Sequence, residues 1–108
     1  MTVKINMSAV ITLKAKGQYA IEGELNMHSV PEISQQLVKL VPQVEGETLT
    51  FDLSLISRSD SAGVALLVEA MQLAKAAHLS LNFSNLPQQM QDIAGLSGLL
   101  DILPIQQH

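Results

Sequence analysis

TLTFDLSLISRSDSAGVALLVEAMQLAKAAHLSLNF, residues 48–83, decides how this chain folds. Its first six residues alternate polar and apolar, so Leu49, Phe51 and Leu53 share one face of a strand. From Ser61 to Ala77 the composition turns to Ala, Leu and Met, good helix formers, and Leu79-Ser80-Leu81-Asn82-Phe83 alternates again as a strand. SLISRSD, residues 54–60, between the first strand and the helix reads as a connecting loop. A strand, a helix and a second strand in succession predict parallel neighbours joined by a right-handed crossover.

Working outward, Val10–Lys14 and Tyr19–Glu22 are short β-type runs on either side of Lys16-Gly17, which suits a tight hairpin turn. Ser29-Val30-Pro31-Glu32 has the form of a capping box, with the Ser29 and Glu32 side chains serving each other's backbone N–H and proline tolerated in the first turn. The helix it opens carries Ile33, Leu37, Leu40 and Val41 on one stripe and ends near Pro42. Downstream, a third helix is expected from about Pro87 to Leu96, with Gly95 and Gly98 bracketing its end. Leu99, Leu100, Ile102 and Leu103 are expected to return to the core before Pro104. The predicted order is β-β-α-β-α-β-α: one α/β domain over residues 1–108, a mixed, mostly parallel sheet with helices packed on it.

Composition narrows the function classes. A chain of 108 residues can bury about two-thirds of its unfolded surface. The absence of cysteine removes disulfides, thiolate metal sites and thiol nucleophiles. MTVKINMSAV lacks the continuous apolar core of a signal peptide, so a cytoplasmic location is expected. The longest apolar run, Ala62 to Leu73, is interrupted by Glu69 and Gln72 and falls short of the roughly 20 residues that cross a bilayer. A formal charge of −4 with scattered basic residues, and only Tyr19, Phe51 and Phe83 as aromatics, argue against nucleic acid. Hydrophobic residues make up 47% and charged residues 15%, enough to fill a core and leave apolar surface for a partner.

SDSAG, residues 59–63, is the stretch with chemical content. Asp60 or Ser61 can cap the following helix, and the helix N-terminus would also welcome a phosphate on Ser61. Gly63, unusual in a first turn, signals close backbone approach or tight packing. On a helical wheel Ser61, Glu69, Gln72 and Lys75 gather on one side, opposite Leu66, Leu67, Ala70, Leu73 and Ala74. Ala65, Val68 and Ala76 fall within the polar side, which predicts a shallow, partly apolar edge, although single exposed alanines and valines are ordinary on helices. Arg58, the only arginine, is placed to pair with a partner carboxylate or with Asp60, the usual outcome for a loop charge being solvation. A Ser/His/Asp triad from Ser61, Asp60 and His28, His78 or His108 lacks a G-x-S-x-G elbow, and the histidines lack metal-ligand spacing. No Gly-rich phosphate loop is present. Enzyme activity, metals and cofactors are therefore not expected. Met27, Met71 and Met90 read as core fillers.

Asp52-Leu53-Ser54, Asp60-Ser61-Ala62-Gly63-Val64 and the Ala/Leu-rich helix, together with Ile21-Glu22-Gly23-Glu24-Leu25-Asn26, resemble the STAS domain family over nearly the whole chain. The resemblance implies one of two roles. In anti-sigma-factor antagonists the hydroxyl residue after the motif aspartate, here Ser61, is phosphorylated by a partner kinase. In the small STAS subunits of Mla-type phospholipid-transport ABC systems the same position and the following helix face the ATPase subunit. Ser57-Arg58-Ser59, Gly63-Val64-Ala65-Leu66-Leu67, Gln72-Leu73-Ala74-Lys75 and Leu100-Asp101-Ile102-Leu103-Pro104 look more like the second branch. The resemblance thus implies a non-catalytic subunit binding an ABC-transporter ATPase within a permease complex, peripheral to the inner membrane through that partner. Its contact residues would be Arg58, Asp60, Ser61, Ala62, Gly63, Ala65, Val68 and Gln72. The alternative is an antagonist controlled by phosphorylation of Ser61.

Overall fold

In the computed structural model, which describes residues 9–106, strand β2 (Gln18–Leu25) is the hub of the sheet. On one side it pairs antiparallel with β1 (Ala9–Ala15) through the Lys16-Gly17 turn. Gly17 has φ +71°, and a Cβ there would lie 2.6 Å from the Thr48 carbonyl oxygen, so this turn accepts only glycine without strain. On its other side β2 pairs in parallel with β3 (Thr48–Asp52) and, further along, with β4 (Ile56–Ser59). β5 (Ser80–Ser84) pairs in parallel with β3. The main path is β1-β2-β3-β5, with β4 extending the sheet beyond the end of β3.

β4 corrects the expected loop. Ile56 is buried and Ser57 and Arg58 are exposed, too little apolar content to mark a strand, but β2 supplies a ladder for it: Gly23 opposite Ile56, Glu24 opposite Arg58 and Leu25 opposite Ser59. The element order is therefore β-β-α-β-β-α-β-α, still a single α/β domain with a mixed, mostly parallel sheet.

Helices α1 (Val30–Leu40), α2 (Ser61–Ala76) and α3 (Gln88–Leu96) complete the fold. Leu49, Phe51 and Leu53 are fully buried, and Phe51 stacks on Phe83 of β5 with ring centroids 6.4 Å apart. Alternation along β3 and β5 leaves Thr48, Thr50 and Asp52 and Ser80, Asn82 and Ser84 on the opposite face. Leu66 and Leu67 of α2 are buried completely, each worth about 1.5–3 kcal/mol relative to exposure. Ile33 and Leu37 bury the inner stripe of α1, with Leu40 half-buried and Val41 buried in a single 3₁₀ turn, Val41–Gln43.

The end of the chain departs from expectation in part. Leu103 is buried and Leu99 packs on the core, whereas Leu100 and Ile102 are exposed. Pro104 to Gln106 instead lie along β5: the Phe83 N–H donates to the Pro104 carbonyl and the Gln106 N–H to the Phe83 carbonyl, each at 2.8 Å. The tail thereby covers that edge of the sheet. No helix among the described residues is long and apolar enough to cross a membrane.

Candidate functional site

β4 delivers the chain to α2 through Ser59 and Asp60, and each residue of this junction has a separate job. Asp60 has an extended backbone (φ −104°, ψ −166°), and its carboxylate accepts from the Ala62 N–H at 2.8 Å, so Asp60 is the N-cap. Ser61 is thus the first helical residue, with an exposed side chain. The Asp60 N–H donates to the Leu25 carbonyl at 3.1 Å, which ties the junction to the end of β2.

Gly63 is buried, and the structure assigns it to packing within the domain. A Cβ there would collide with Ser59 Oγ and lie 3.0 Å from Leu25 Cβ. Ser59 is itself only 4% exposed, its Oγ donating to the Asp60 carbonyl at 3.0 Å. The close approach at Gly63 is made by the protein's own β2 and β4, and Gly63 offers no surface to a partner.

Among the other expected contact residues, Arg58, Ala65 and Gln72 are exposed and Ala62 is half-buried. Val68 differs from expectation: it is half-buried and packs against the core. The helical wheel places Val68 among polar residues, but α1 packs against α2, and the Ser34 hydroxyl of α1 donates to Glu69 of α2. The exposed edge of α2 is therefore narrower than the sequence implies, formed by Ser61, Ala65, Gln72 and Ala76 with the exposed charge of Lys75 at its C-terminal end.

The loop beside this edge holds no capping box. Ser29 makes no side-chain cap bond to α1, because its backbone is already helical (φ −86°, ψ −33°). Its Oγ instead donates to the Glu24 carbonyl at 2.7 Å and accepts from the Asn26 N–H at 3.0 Å. Met27 is 72% exposed and is no core filler, whereas Met71 is half-buried and Met90 fully buried. A shallow groove of about 180 Å³ lies between this loop and the junction, with Glu24, Asn26, Arg58, Asp60 and Gln89 on its walls.

The Ser/His/Asp triad does not assemble with His78, which follows the C-terminus of α2, about 24 Å along the axis from Ser61. His28 sits in the Asn26 turn, its N–H donating to Asn26 Oδ1, and His108 lies outside the described residues. No three His, Cys, Asp or Glu residues among those described gather into a metal-binding group. At the end of β3, burial pushes the Asp52 carboxyl up, but hydrogen bonds from Asn85 and Ser54 and the charge of Lys14 outweigh it and hold the group below its ordinary value.

Comparison with known proteins places this geometry. The family described as "Mlab, STAS domain" matches residues 10–104. The chain belongs to the STAS domain family. The anti-sigma-B factor antagonist of Bacillus subtilis (strain 168) is 32% identical over 88 residues, covering 82% of this chain and 79% of the relative. Among solved structures, the anti-sigma factor antagonist SpoIIAA in its unphosphorylated form superposes with a TM-score of 0.70 at 20% identity, covering 93% of this chain and 89% of that one. A serine-to-glutamate variant of RsbS from Moorella thermoacetica gives 0.69 at 20% identity, covering 93% and 86%. These two likenesses are of fold.

Sequence identity corrects the functional expectation. The Bacillus subtilis relative, 32% identical over 82% of this chain, is an anti-sigma-B factor antagonist, and it overturns the reading of this STAS domain as an ATPase-binding subunit of a lipid-transport ABC complex. Ser57-Arg58-Ser59 and the helix segments that suggested that subunit are mostly core positions or short surface runs. Many sequences fill such positions in one fold, so they discriminate poorly between branches.

Proposed function

We propose that this STAS domain is an anti-sigma-factor antagonist: a non-catalytic protein that binds a partner through the α2 edge and is controlled by phosphorylation of Ser61. The observation that carries the reading is the exposed hydroxyl of Ser61 at the first position of α2, in a chain 32% identical to an anti-sigma-B factor antagonist. One solved relative, SpoIIAA, is described in its phosphorylated form.

The physics of the edge supports a switch. At the N-terminal end of the edge Ser61 and Ala65 carry no formal charge, so a partner can cover these two side chains without stripping water from an ion. In the modification, Ser61 Oγ attacks the γ-phosphorus of ATP, the bond to the β-phosphate oxygen breaks, ADP leaves, and the hydroxyl proton passes to a base of the kinase. The product carries a charge of about −1.5 to −2 beside Asp60. Covering that charge costs several kcal/mol unless the partner supplies a cation, so phosphorylation releases a partner whose contact surface is neutral or acidic.

Intact-mass measurement of the protein exposed to ATP and an extract of its native host tests the switch. The expected result is a gain of about 80 Da that Ser61→Ala abolishes. No gain in the wild-type chain, or a gain that survives Ser61→Ala, overturns the assignment.

A further inference from the structure

Gln89, the second residue of α3, projects an amide that nothing in the sequence marked. Its Oε1 accepts from the backbone N–H of Ser59 at 2.8 Å, a contact across thirty positions of chain. The reason lies in the geometry of β4. One edge of β4 faces β2: the Gly23 N–H donates to the Leu55 carbonyl and the Asp60 N–H to the Leu25 carbonyl, both at 3.1 Å. Successive N–H groups of a strand point to opposite edges, so the Ser59 N–H points away from β2. β5 ends its pairing with β3 at Asp52 opposite Ser84, and the Leu53 N–H donates to the Ser84 carbonyl. No strand among the described residues continues beside β4 on that side.

We propose that Gln89 is a positioning residue for Ser61: its side-chain amide replaces the missing strand on the outer edge of β4 and holds the turn that presents the Ser61 hydroxyl. Three constraints converge on Ser59 and Asp60. Leu25 holds the Asp60 N–H, Gln89 holds the Ser59 N–H, and Ser59 Oγ is wedged against Gly63 while it donates to the Asp60 carbonyl. Ser61 follows directly, so its direction is set by this turn. Removing Gln89 frees one of the three and leaves a donor on a buried residue without its partner. Gln89 also lines the groove with Glu24, Arg58 and Asp60, so a partner side chain entering the groove meets the residue that sets the turn. The proposal rests on the reading of Ser61 as a phosphoacceptor.

The test compares Gln89→Leu, Gln89→Lys and Gln89→Glu with the wild-type protein, using an extract of the native host and ATP as the phosphorylating probe and Ser61→Ala as control. Initial rates are read by intact mass at a temperature where each variant is folded by circular dichroism. Backbone amide exchange at Ser59 is followed by NMR. Leucine and lysine lack an acceptor, so both variants are expected to slow phosphorylation by about tenfold and to speed exchange at Ser59. Glutamate keeps an acceptor at the same reach and is expected to restore the rate to within about threefold of wild type with Ser59 still protected.

Recovery by Gln89→Glu alone supports positioning, because a loss of general stability would not track the acceptor. Wild-type rates in Gln89→Leu and Gln89→Lys overturn the proposal and leave the switch standing. So does a Gln89→Glu protein as slow as Gln89→Leu. A wild-type chain that gains no phosphate at Ser61 overturns the switch and the proposal together.

Discussion

Helices α1 and α2 both begin where a parallel strand hands over to a short polar turn, yet their opening residues do opposite things. At α2, Asp60 stays extended and turns its carboxylate onto the Ala62 N–H, satisfying a free donor of the first turn. At α1, Ser29 has already entered the helical region, and its Oγ bonds backward to Glu24 and Asn26. Asn26 Oδ1 in turn accepts from the N–H groups of His28 at 2.8 Å and Ser29 at 3.0 Å, so the side chain one turn earlier organises the entry. Ser29 is 5% exposed while Asp60 is exposed, and that difference matters most. A buried hydroxyl works to satisfy the backbone around it; an exposed carboxylate is free to cap.

The comparison is broken most severely at Gly63. Gly63→Ala drives a methyl group into Ser59 Oγ and Leu25 and is expected to destabilise the fold by about 2–3 kcal/mol, read by chemical denaturation. Adding Ser59→Ala on the same chain removes the nearest clashing atom and should recover part of that loss. Full additivity of the two would show that the turn can relax some other way. Next comes Ser29→Ala, which strips partners from two part-buried backbone groups and should cost about 2 kcal/mol. Asp60→Ala removes only the cap of α2 and should cost about 1 kcal/mol, so Ser29 is expected to outrank the residue that actually caps a helix.

The smallest effect sharpens the contrast. Glu32→Ala should change stability by less than about 0.5 kcal/mol, the loss of one exposed acidic residue in the first turn of α1. If its thermal unfolding shifts as far as that of Asp60→Ala, Glu32 is capping α1 after all and the distinction between the two helix starts collapses.

Most of the architecture was legible because it repeats locally. Alternation at Leu49, Phe51 and Leu53 and the apolar stripe of α1 are properties of neighbouring residues, and glycine at the Lys16-Gly17 turn is a steric requirement. β4 was not legible, since ISRS has no repeating pattern and its ladder partner lies more than thirty residues upstream in β2. The end of α2 was equally silent. His78 takes the left-handed position (φ +59°) that glycine usually occupies, with the Leu79 N–H donating to the Ala74 carbonyl and the His78 N–H to the Lys75 carbonyl. At the candidate site Asp60 and Ser61 were legible by residue type and spacing. The narrowed edge at Val68, the exposed Met27 and the Gln89 contact were not, because each depends on which other element packs nearby.

The sequence by itself determined an α/β chain of one domain, the rhythm of its strands and helices, and a hydroxyl placed directly after a capping aspartate, since these depend on residues within about one helical turn of each other. Tertiary structure alone decided that Gly63 is wedged against β2 and β4, that Ser29 serves a loop, and that α3 reaches back to the turn before Ser61. Burial and hydrogen-bond satisfaction belong to the assembled layers: whether a small polar residue caps, packs or faces solvent depends on atoms brought to it from elsewhere in the chain.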